Sequence, residues 1–508
     1  MAHQPDISSP RLDLLRREVE QSVLKPFRTH GWSISDTSEY AHEDLIKITA
    51  QRGMEKVRIA ILYSSSGISN LRYRALGNEV DHIFFHGQPY MLESFAAGVT
   101  IPVVPLSSFF PFLVALNKRI EPDRSPQLPI QRPKTVKRLT AEQPIDAVFA
   151  RLQQFTSVNL AAKLVKRRAA DADLAMTPEV VASKSTGIAF SLRSALDYIV
   201  STPGDRLNKR VLGLYYGTMA FAQAEMLASP SGPIDLDEVE GMTKQGHGLY
   251  TLAGPNGVFS DLRIGVLATG FLPQWASFLG YDITNYPTRK ARSFGDIEKQ
   301  PQGTVCSLRD LFSSVPEIDD LFSEVFNGAV NWLSVRYDDK TNMRFSVHGM
   351  AEKKYDSTYG LFHDRSGEIS VERLSKAGWP LAEIQRVEDF VGPGTLFRAR
   401  VDHVGHDVWW SVLPTHSSPF GTRSTLLLPT VGGLRDYRTI VAVTLYALSI
   451  MARYMPSAWR RIEGGDDDQY LALIKASLSV WERVLPEHFL ESIAGEIVHT
   501  AQPGSFFG

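Results

Sequence analysis

The chain has almost no cysteine: Cys306 stands alone in 508 residues, so no disulfide can form within it, and a reducing interior is expected. It has no surplus of either charge. Its 54 basic and 56 acidic side chains leave a formal charge of -2, so any affinity for nucleic acid must come from local basic patches. Long apolar runs are missing too. None reaches the roughly 18 residues that argue for a membrane helix. The opening MAHQPDISSP has neither the basic start nor the apolar stretch of a secretory signal, so a cytoplasmic protein with no membrane contact is expected. Gly-x-Ser-x-Gly, Walker-type and paired-cysteine motifs are also lacking, and no cofactor is implied. These absences exclude a disulfide scaffold, a membrane span and the familiar nucleophile and phosphate-loop signatures.

What is present is an ordinary globular composition, 43% hydrophobic and 22% charged, at a length that calls for two or three domains. Residues 1–118 read as an α/β domain of order αββαβαβ. In it Leu12, Leu15, Val19, Val23 and Leu24 share one helix face, and strands at 44–49 and 57–63 flank a hairpin turn at Gly53. A helix then follows the SSSG turn, with strands at 80–85 and 100–105, a short helix at 90–97 between them, and a last helix at 109–118. Residues 119–144 carry Pro122, Pro126, Pro129, Pro133 and Pro144 with no apolar periodicity, and read as an extended, somewhat basic linker.

Residues 145–508 read as a larger, mainly α-helical module. Helices are expected at 145–169, 186–199, 209–227 and 309–326, with two more on either side of Pro486. Between them, residues 330–435 form a β-rich portion, with alternation in LSVRY, MRFSVHGM, GEISVERL, LFRARVDHV and DVWWSVL, so the module is α+β. Its centre is the run from Asp436 to Ile462. Val441, Val443, Leu445, Tyr446, Leu448, Ile450 and Met451 leave almost no polar stripe, which predicts a helix buried on nearly every side, and Pro456 should end it near Tyr454. Arg453 and Trp459 would then sit at the mouth of an apolar core. Arg453 suits either an anion clamp or a cap on helix carbonyls.

Five pieces occur in a definite order: Ser191-x6-Tyr198, RVLGLYYGTMAFAQAEML at 210–227, KQGHGLYTL at 244–252, SLRDLFSSVPEI at 307–318, and ARYMPSAWRRI with SVWERVLPEHFLESI. Together they resemble the bacterial YaaC-like protein family over residues 185–500. That family has no assigned reaction, so the resemblance implies an architecture and no catalytic residues. The first 120 residues lie outside it.

Those residues resemble, more weakly, the restriction-endonuclease-like fold, in which a strand carboxylate and a Glu-x-Lys on the next strand hold a divalent metal. Asp44 falls at the first position, whereas Ala60 and Leu62 stand where the Glu and Lys belong. The resemblance therefore implies an inactive site, unless it has migrated to Glu43, Glu55 and Lys56. Nucleic acid would be held through Arg72, Arg74 and the linker residues Lys134, Lys137 and Arg138, since phosphate contacts need no metal.

The same domain admits a nucleotide reading. Ser65, Ser66 and Gly67 lie between a strand and a helix, where free N–H groups favour an anion, and Asp81, His82 and His86 would line that edge; a plain helix-capping turn is the alternative.

In the larger module, His247 lies between two glycines and is a candidate proton carrier, with Asp261 as its acceptor and Arg453 as the clamp for a phosphorylated ligand. Tyr215 and Tyr216 read as core. Lys163, Lys166, Arg167 and Arg168 form a basic cluster, read first as a solvated face. His403, His406 and His416 invite a metal, but a strand sets His403 and His406 on opposite faces unless Gly405 makes a bulge, so none is expected. Cys306 has no visible activating partner.

Two functions follow as expectations. One is a nucleic-acid-associated interaction protein with an inactive nuclease-like domain, binding a protein partner or its own copy; by analogy it suits prokaryotic antiviral defence or DNA processing. The other is an enzyme or binding module acting on a nucleotide or other phosphorylated ligand.

Overall fold

A computed structural model describes residues 10–29, 32–52, 55–120, 136–199, 206–254, 259–346, 356–406, 408–421 and 424–501. The chain divides into two compact units, residues 1–129 and 130–508.

In the first unit a helix (Pro10–Val19) runs through a π-helical segment (Glu20–Leu24) into a short helix (Lys25–Thr29). The wider π turn brings Phe27 into the core with Leu12, Leu15, Val19 and Val23, and leaves Leu24 only partly buried. Three antiparallel strands follow, β1 (Ser33–Tyr40), β2 (Leu45–Arg52) and β3 (Glu55–Leu62). A helix (Asn70–Glu79) then crosses to β4 (His82–Phe85), and β5 (Val103–Pro105) completes a sheet of order β1-β2-β3-β4-β5. The β3/β4 and β4/β5 pairs are parallel. The expected order thus lacked one strand. β1, SISDTSEY, is a largely exposed edge strand with no apolar face to announce it. Apolar clusters cover both faces of the sheet: Ile59 and Ile61 point to one, Ala60 and Leu62 to the other. Gly53 and residues 121–135, including Lys134, lie outside the described residues.

The second unit begins earlier than its composition suggests. β6 (Val136–Thr140) pairs in parallel with a strand at Ile497–Ala501, and a helix follows at Pro144–Gln154. Lys137 and Arg138 therefore belong to a strand of this unit and not to a linker. The expected 145–169 helix is two, broken between Gln154 and Val158. The core is built from four long helices, Pro178–Ile199, Leu207–Ala228, Tyr437–Tyr454 and Asp468–Ala494. The first two approach closely at glycines: a Cβ on Gly213 would stand 2.6 Å from the Tyr198 carbonyl oxygen, and one on Gly217 2.4 Å from Ile199. Residues Tyr437 to Ser449 are all buried, Asp436 caps that helix, and Pro456 opens the next one (Pro456–Gly464) after a bend of 100°. No single helix is long and apolar enough to cross a membrane.

Pro486 does not divide the last helix. It sits inside 27 continuous residues, its missing N–H outweighed by the burial of Val484, Leu485, Phe489 and Leu490. A buried ion network ties these helices together. Glu225 accepts from Arg438, from Ser492 and, at 3.0 Å, from the Trp275 indole, while Arg438 also pairs with Asp436 at 2.9 Å.

Two sheets flank this core. β7 (Leu249–Leu252), β8 (Arg263–Val266) and β9 (Val305–Ser307) form one. The other contains β10 (Trp332–Tyr337), β11 (Ser357–Asp364), β12 (Leu381–Arg386), β13 (Thr395–Asp402), β14 (Thr415–His416) and β15 (Thr425–Leu427), antiparallel in the order β12-β13-β11-β10-β15-β14. LSVRY and LFRARVDHV supply strands as expected. GEISVERL does not: Ser370 accepts from the Arg373 N–H at 3.2 Å and starts a short helix. DVWWSVL coils into a 3-10 turn at Trp409–Val412, and the start of MRFSVHGM belongs to a helix, Asp339–Ser346. Pro316 similarly divides the expected 309–326 helix into Leu308–Phe312 and Asp319–Phe326.

Candidate functional site

Four segments of the second unit bring polar side chains to one place. The close glycine packing sets Tyr198, at the end of its helix, 5.6 Å from the ring of Tyr216. Tyr215, the next residue round the Leu207–Ala228 helix, faces inward, with ring centroids 6.0 Å from Tyr446 and 5.7 Å from His247. His247 is presented by a turn between Gly246 and Gly248, at φ 94° and 74°. A Cβ on Gly248 would also strike Pro273 at 2.2 Å, so glycine is required there twice over. The turn is pinned because the carbonyls of Gly246 and His247 accept from the N–H groups of Phe271 and Leu272, at 2.9 and 3.0 Å. Arg453 completes the cluster from the last turn of the Tyr437–Tyr454 helix.

The hydrogen bonds assign roles. Tyr215 Oη lies 2.8 Å from His247 Nδ1. Burial first, then the nearby Tyr446 and Tyr216, push the Tyr215 hydroxyl well above its ordinary range, so it keeps its proton. Burial, then the charge of Arg453, push His247 below the usual imidazole value. A phenol can donate to Nδ1 or accept from it, but His247 Nδ1 is the one acceptor the buried Tyr215 hydroxyl has among the described residues, so we assign the hydroxyl as donor, which places the ring proton on Nε2. His247 thus offers an N–H donor on its far side, and its partner is Tyr215, where sequence pointed to Asp261. Arg453 bonds through Nε to the Ser449 carbonyl at 3.1 Å, through one amino group to Ser449 Oγ at 3.3 Å and through the other to Tyr216 Oη at 3.4 Å. Ser449 O is an interior carbonyl of that helix, so these bonds tie the guanidinium back onto its own helix without capping the helix end, and the guanidinium also stands over the exposed Tyr454 ring at 5.0 Å. The cavity inside Tyr215 and His247 is about 10 Å³, enough for one water at most. A larger ligand has to approach from the side of Arg453, Tyr216 and Tyr198.

The first unit's candidates do not gather into a comparable site. Ser65 is buried, and its hydroxyl exchanges hydrogen bonds with the backbone of Tyr90 at 2.7 and 3.0 Å. The helix after the turn is capped by Ser69, leaving Ser66 and Gly67 as a turn closed by Gly67 N–H to Ser64 O at 3.1 Å. Arg72 is held by Glu43 and Glu79, at 3.1 and 2.8 Å, and so is charge-paired where a phosphate contact was expected. Arg74 is exposed but donates to Ala97 O at 3.1 Å. Asp81 and His86 flank opposite ends of β4, and Asp81 is taken by Arg58. Asp44 stands at the head of β2 with a left-handed φ of 44°, and Ala60 and Leu62 are fully buried.

Elsewhere, Arg167 and Arg168 cap the last long helix through the carbonyls of Ala494, Ser492 and Ile493, while Lys163 and Lys166 are solvated. His403 bonds to Thr358 and His406 to Ser411, and among the described residues no group of three or more His, Cys, Asp or Glu could hold a metal. Burial raises the Cys306 thiol far above its usual range. Sequence reasoning missed Tyr215, Tyr216 and Ser449 as polar partners. A pair of adjacent tyrosines beside small residues reads as packing, and only the meeting of helices distant in sequence reveals their hydroxyl contacts.

A sequence model of the YaaC-like protein family matches residues 153–493. No curated protein and no solved structure matches the chain.

Proposed function

The chain belongs to the YaaC-like protein family, and from that premise we propose that its second unit binds a small anionic ligand, a nucleotide or other phosphorylated molecule, at the cluster of His247, Arg453, Tyr216 and Tyr198. One observation carries this reading. Four of the five pieces that mark the family resemblance converge there, contributing Tyr198, the Tyr215-Tyr216 pair, His247 and Arg453. Their chemistry agrees: a guanidinium, the imidazole Nε2–H and phenol hydroxyls are all donors, and no carboxylate bonds to them among the described residues. A neutral His247 acts here as a hydrogen-bond donor to the ligand. Proton abstraction would require the opposite tautomer and cost the Tyr215 hydroxyl its acceptor.

The test is calorimetric titration of the full chain with pyrophosphate, AMP and ATP, and with sulfate as a control. Saturable binding of a phosphorylated probe that is lost in Arg453→Lys and weakened in His247→Gln supports the reading. Binding unchanged in both variants contradicts it.

A second reading concerns residues 10–120. The support for it is the order helix, three-stranded meander, crossover helix and parallel fourth strand, with Asp44 at the head of β2. We read this unit as an inactive nuclease-like domain that contacts nucleic acid, since Ala60 and Leu62 occupy the metal positions as buried apolar groups. With Arg72 neutralised, the contacts fall to exposed cations such as Arg74. Salt-sensitive DNA or RNA binding with no magnesium-dependent cleavage is the expected result; no binding even at low salt ends the reading.

A further inference from the structure

A cleft of about 620 Å³ opens in the second unit and shares no lining residue with the small pocket between Tyr215 and His247. One of its walls is the sheet face formed by β10, β15 and β14. Thr425 pairs with Ser334 on one side and with His416 on the other, so these side chains form a cross-strand row, and Trp332, two residues from Ser334, shares their face. All four line the cleft.

Two polar atoms of this wall are unmet. His416 Nδ1 and Trp332 Nε1 are buried with no hydrogen-bond partner among the described residues, and both side chains are more than nine-tenths buried. Buried polar atoms are ordinarily paired, so two on one cleft wall point to a ligand. The His416 ring cannot turn to satisfy itself. Its Nε2 lies 2.6 Å from Glu317 Oε1, and the ring stacks on Tyr437 with centroids 4.0 Å apart and planes 6° from parallel. Tyr437 Oη also donates to Glu317 at 3.1 Å. Burial raises the Glu317 pKa, but hydrogen bonds, the one from His416 foremost, outweigh this and keep the carboxyl below its usual value. An ionised carboxylate only accepts, so in the neutral ring the proton sits on Nε2, and Nδ1 presents a lone pair. The Trp332 indole can only donate.

We propose that this cleft is a second ligand site, for an uncharged nucleobase-type heterocycle that carries both an N–H donor and an acceptor. The donor meets His416 Nδ1 and the acceptor meets Trp332 Nε1–H. Pro316, Ile318 and Phe420 supply apolar surface for a flat ring, and the volume suits a base or nucleoside. The rim disfavours an anion. It carries Asp319 and Asp320, and the one arginine lining it among the described residues, Arg365, is already bound to Asp319 at 2.6 Å. The site is therefore selective in the opposite sense from the Arg453 cluster.

The experiment is calorimetric titration of the full chain with adenosine, guanosine, cytidine and uridine, in the wild type, Trp332→Phe, His416→Gln and Arg453→Lys. Trp332→Phe keeps an aromatic ring on the wall while removing the N–H donor, so it stays informative if His416→Gln fails to fold. The expected result is saturable binding of at least one nucleoside, weakened about fivefold or more in Trp332→Phe and within about twofold of wild type in Arg453→Lys. No binding by any of the four, or binding unchanged in Trp332→Phe, overturns the proposal. Loss in Arg453→Lys with retention in Trp332→Phe also overturns it, by placing the base at the other cluster. Failure of the anion reading leaves this result untouched, because no phosphorylated probe is used.

Discussion

Single side chains in the second unit carry assignments that are open to test. If Tyr215 donates to His247 Nδ1, nitrogen-detected NMR of labelled histidine will show Nε2 protonated near neutral pH, and Tyr215→Phe will release that preference. Lys184 is a second case. Its buried ammonium donates to the carbonyls of Pro233, Ser229 and Gly232 at 2.6 to 3.0 Å, closing the end of the Leu207–Ala228 helix. Lys184→Met strips that donor from buried carbonyls and should lower stability by about 2–4 kcal/mol in denaturant unfolding. His488 makes a pH prediction. Burial first, then the charge of His416, hold it down at about 4, against 6.5 for an unperturbed imidazole. Between those values the unfolded chain binds a proton that the folded chain refuses, so stability falls as pH drops through the window. His247 is shifted in the same direction and adds to the effect. Denaturation midpoints from pH 7 to about 4 should decline less steeply in His488→Gln, which keeps a donor for Ser417.

At the level of elements, the sequence was most legible where burial is nearly complete. The Tyr437–Tyr454 helix and its stop before Pro456 follow from residue type, and the structure adds Asp436 as its cap. Legibility failed where tertiary packing overrode a local rule. Pro486 lies inside a helix because its neighbours are buried, and β1 pairs as an edge strand without an apolar face. The 136–140 stretch looked like linker because its partner, the Ile497–Ala501 strand, is some 360 residues away in the chain. Half of the candidate site was visible in the same way: His247 and Arg453 stood out by type and setting, while the tyrosines that orient them did not. The helix contact that aligns Tyr198 with Tyr216 depends on Gly213. Gly213→Ala drives a methyl against the Tyr198 carbonyl, and should cost about 1–3 kcal/mol while weakening anion binding, measured by unfolding and calorimetry on the same sample.

Across the whole molecule, the balanced charge leaves recognition to local groupings, and the second unit holds two of opposite character. One is a set of donors around Arg453; the other is a neutral-to-acidic cleft around His416 and Trp332. The family resemblance gains physical content from this, because its separate pieces meet at the donor set. The most direct test pairs two readings on one variant, the affinity of the full chain for ATP and its melting temperature, in wild type and Arg453→Lys. Lysine keeps the charge and loses the planar fork, so an anion site predicts binding weakened about tenfold or more with a nearly unchanged melting temperature. A lowered melting temperature with ATP affinity intact would show that Arg453 serves only to brace its helix through Ser449 and Tyr216, and would contradict the account.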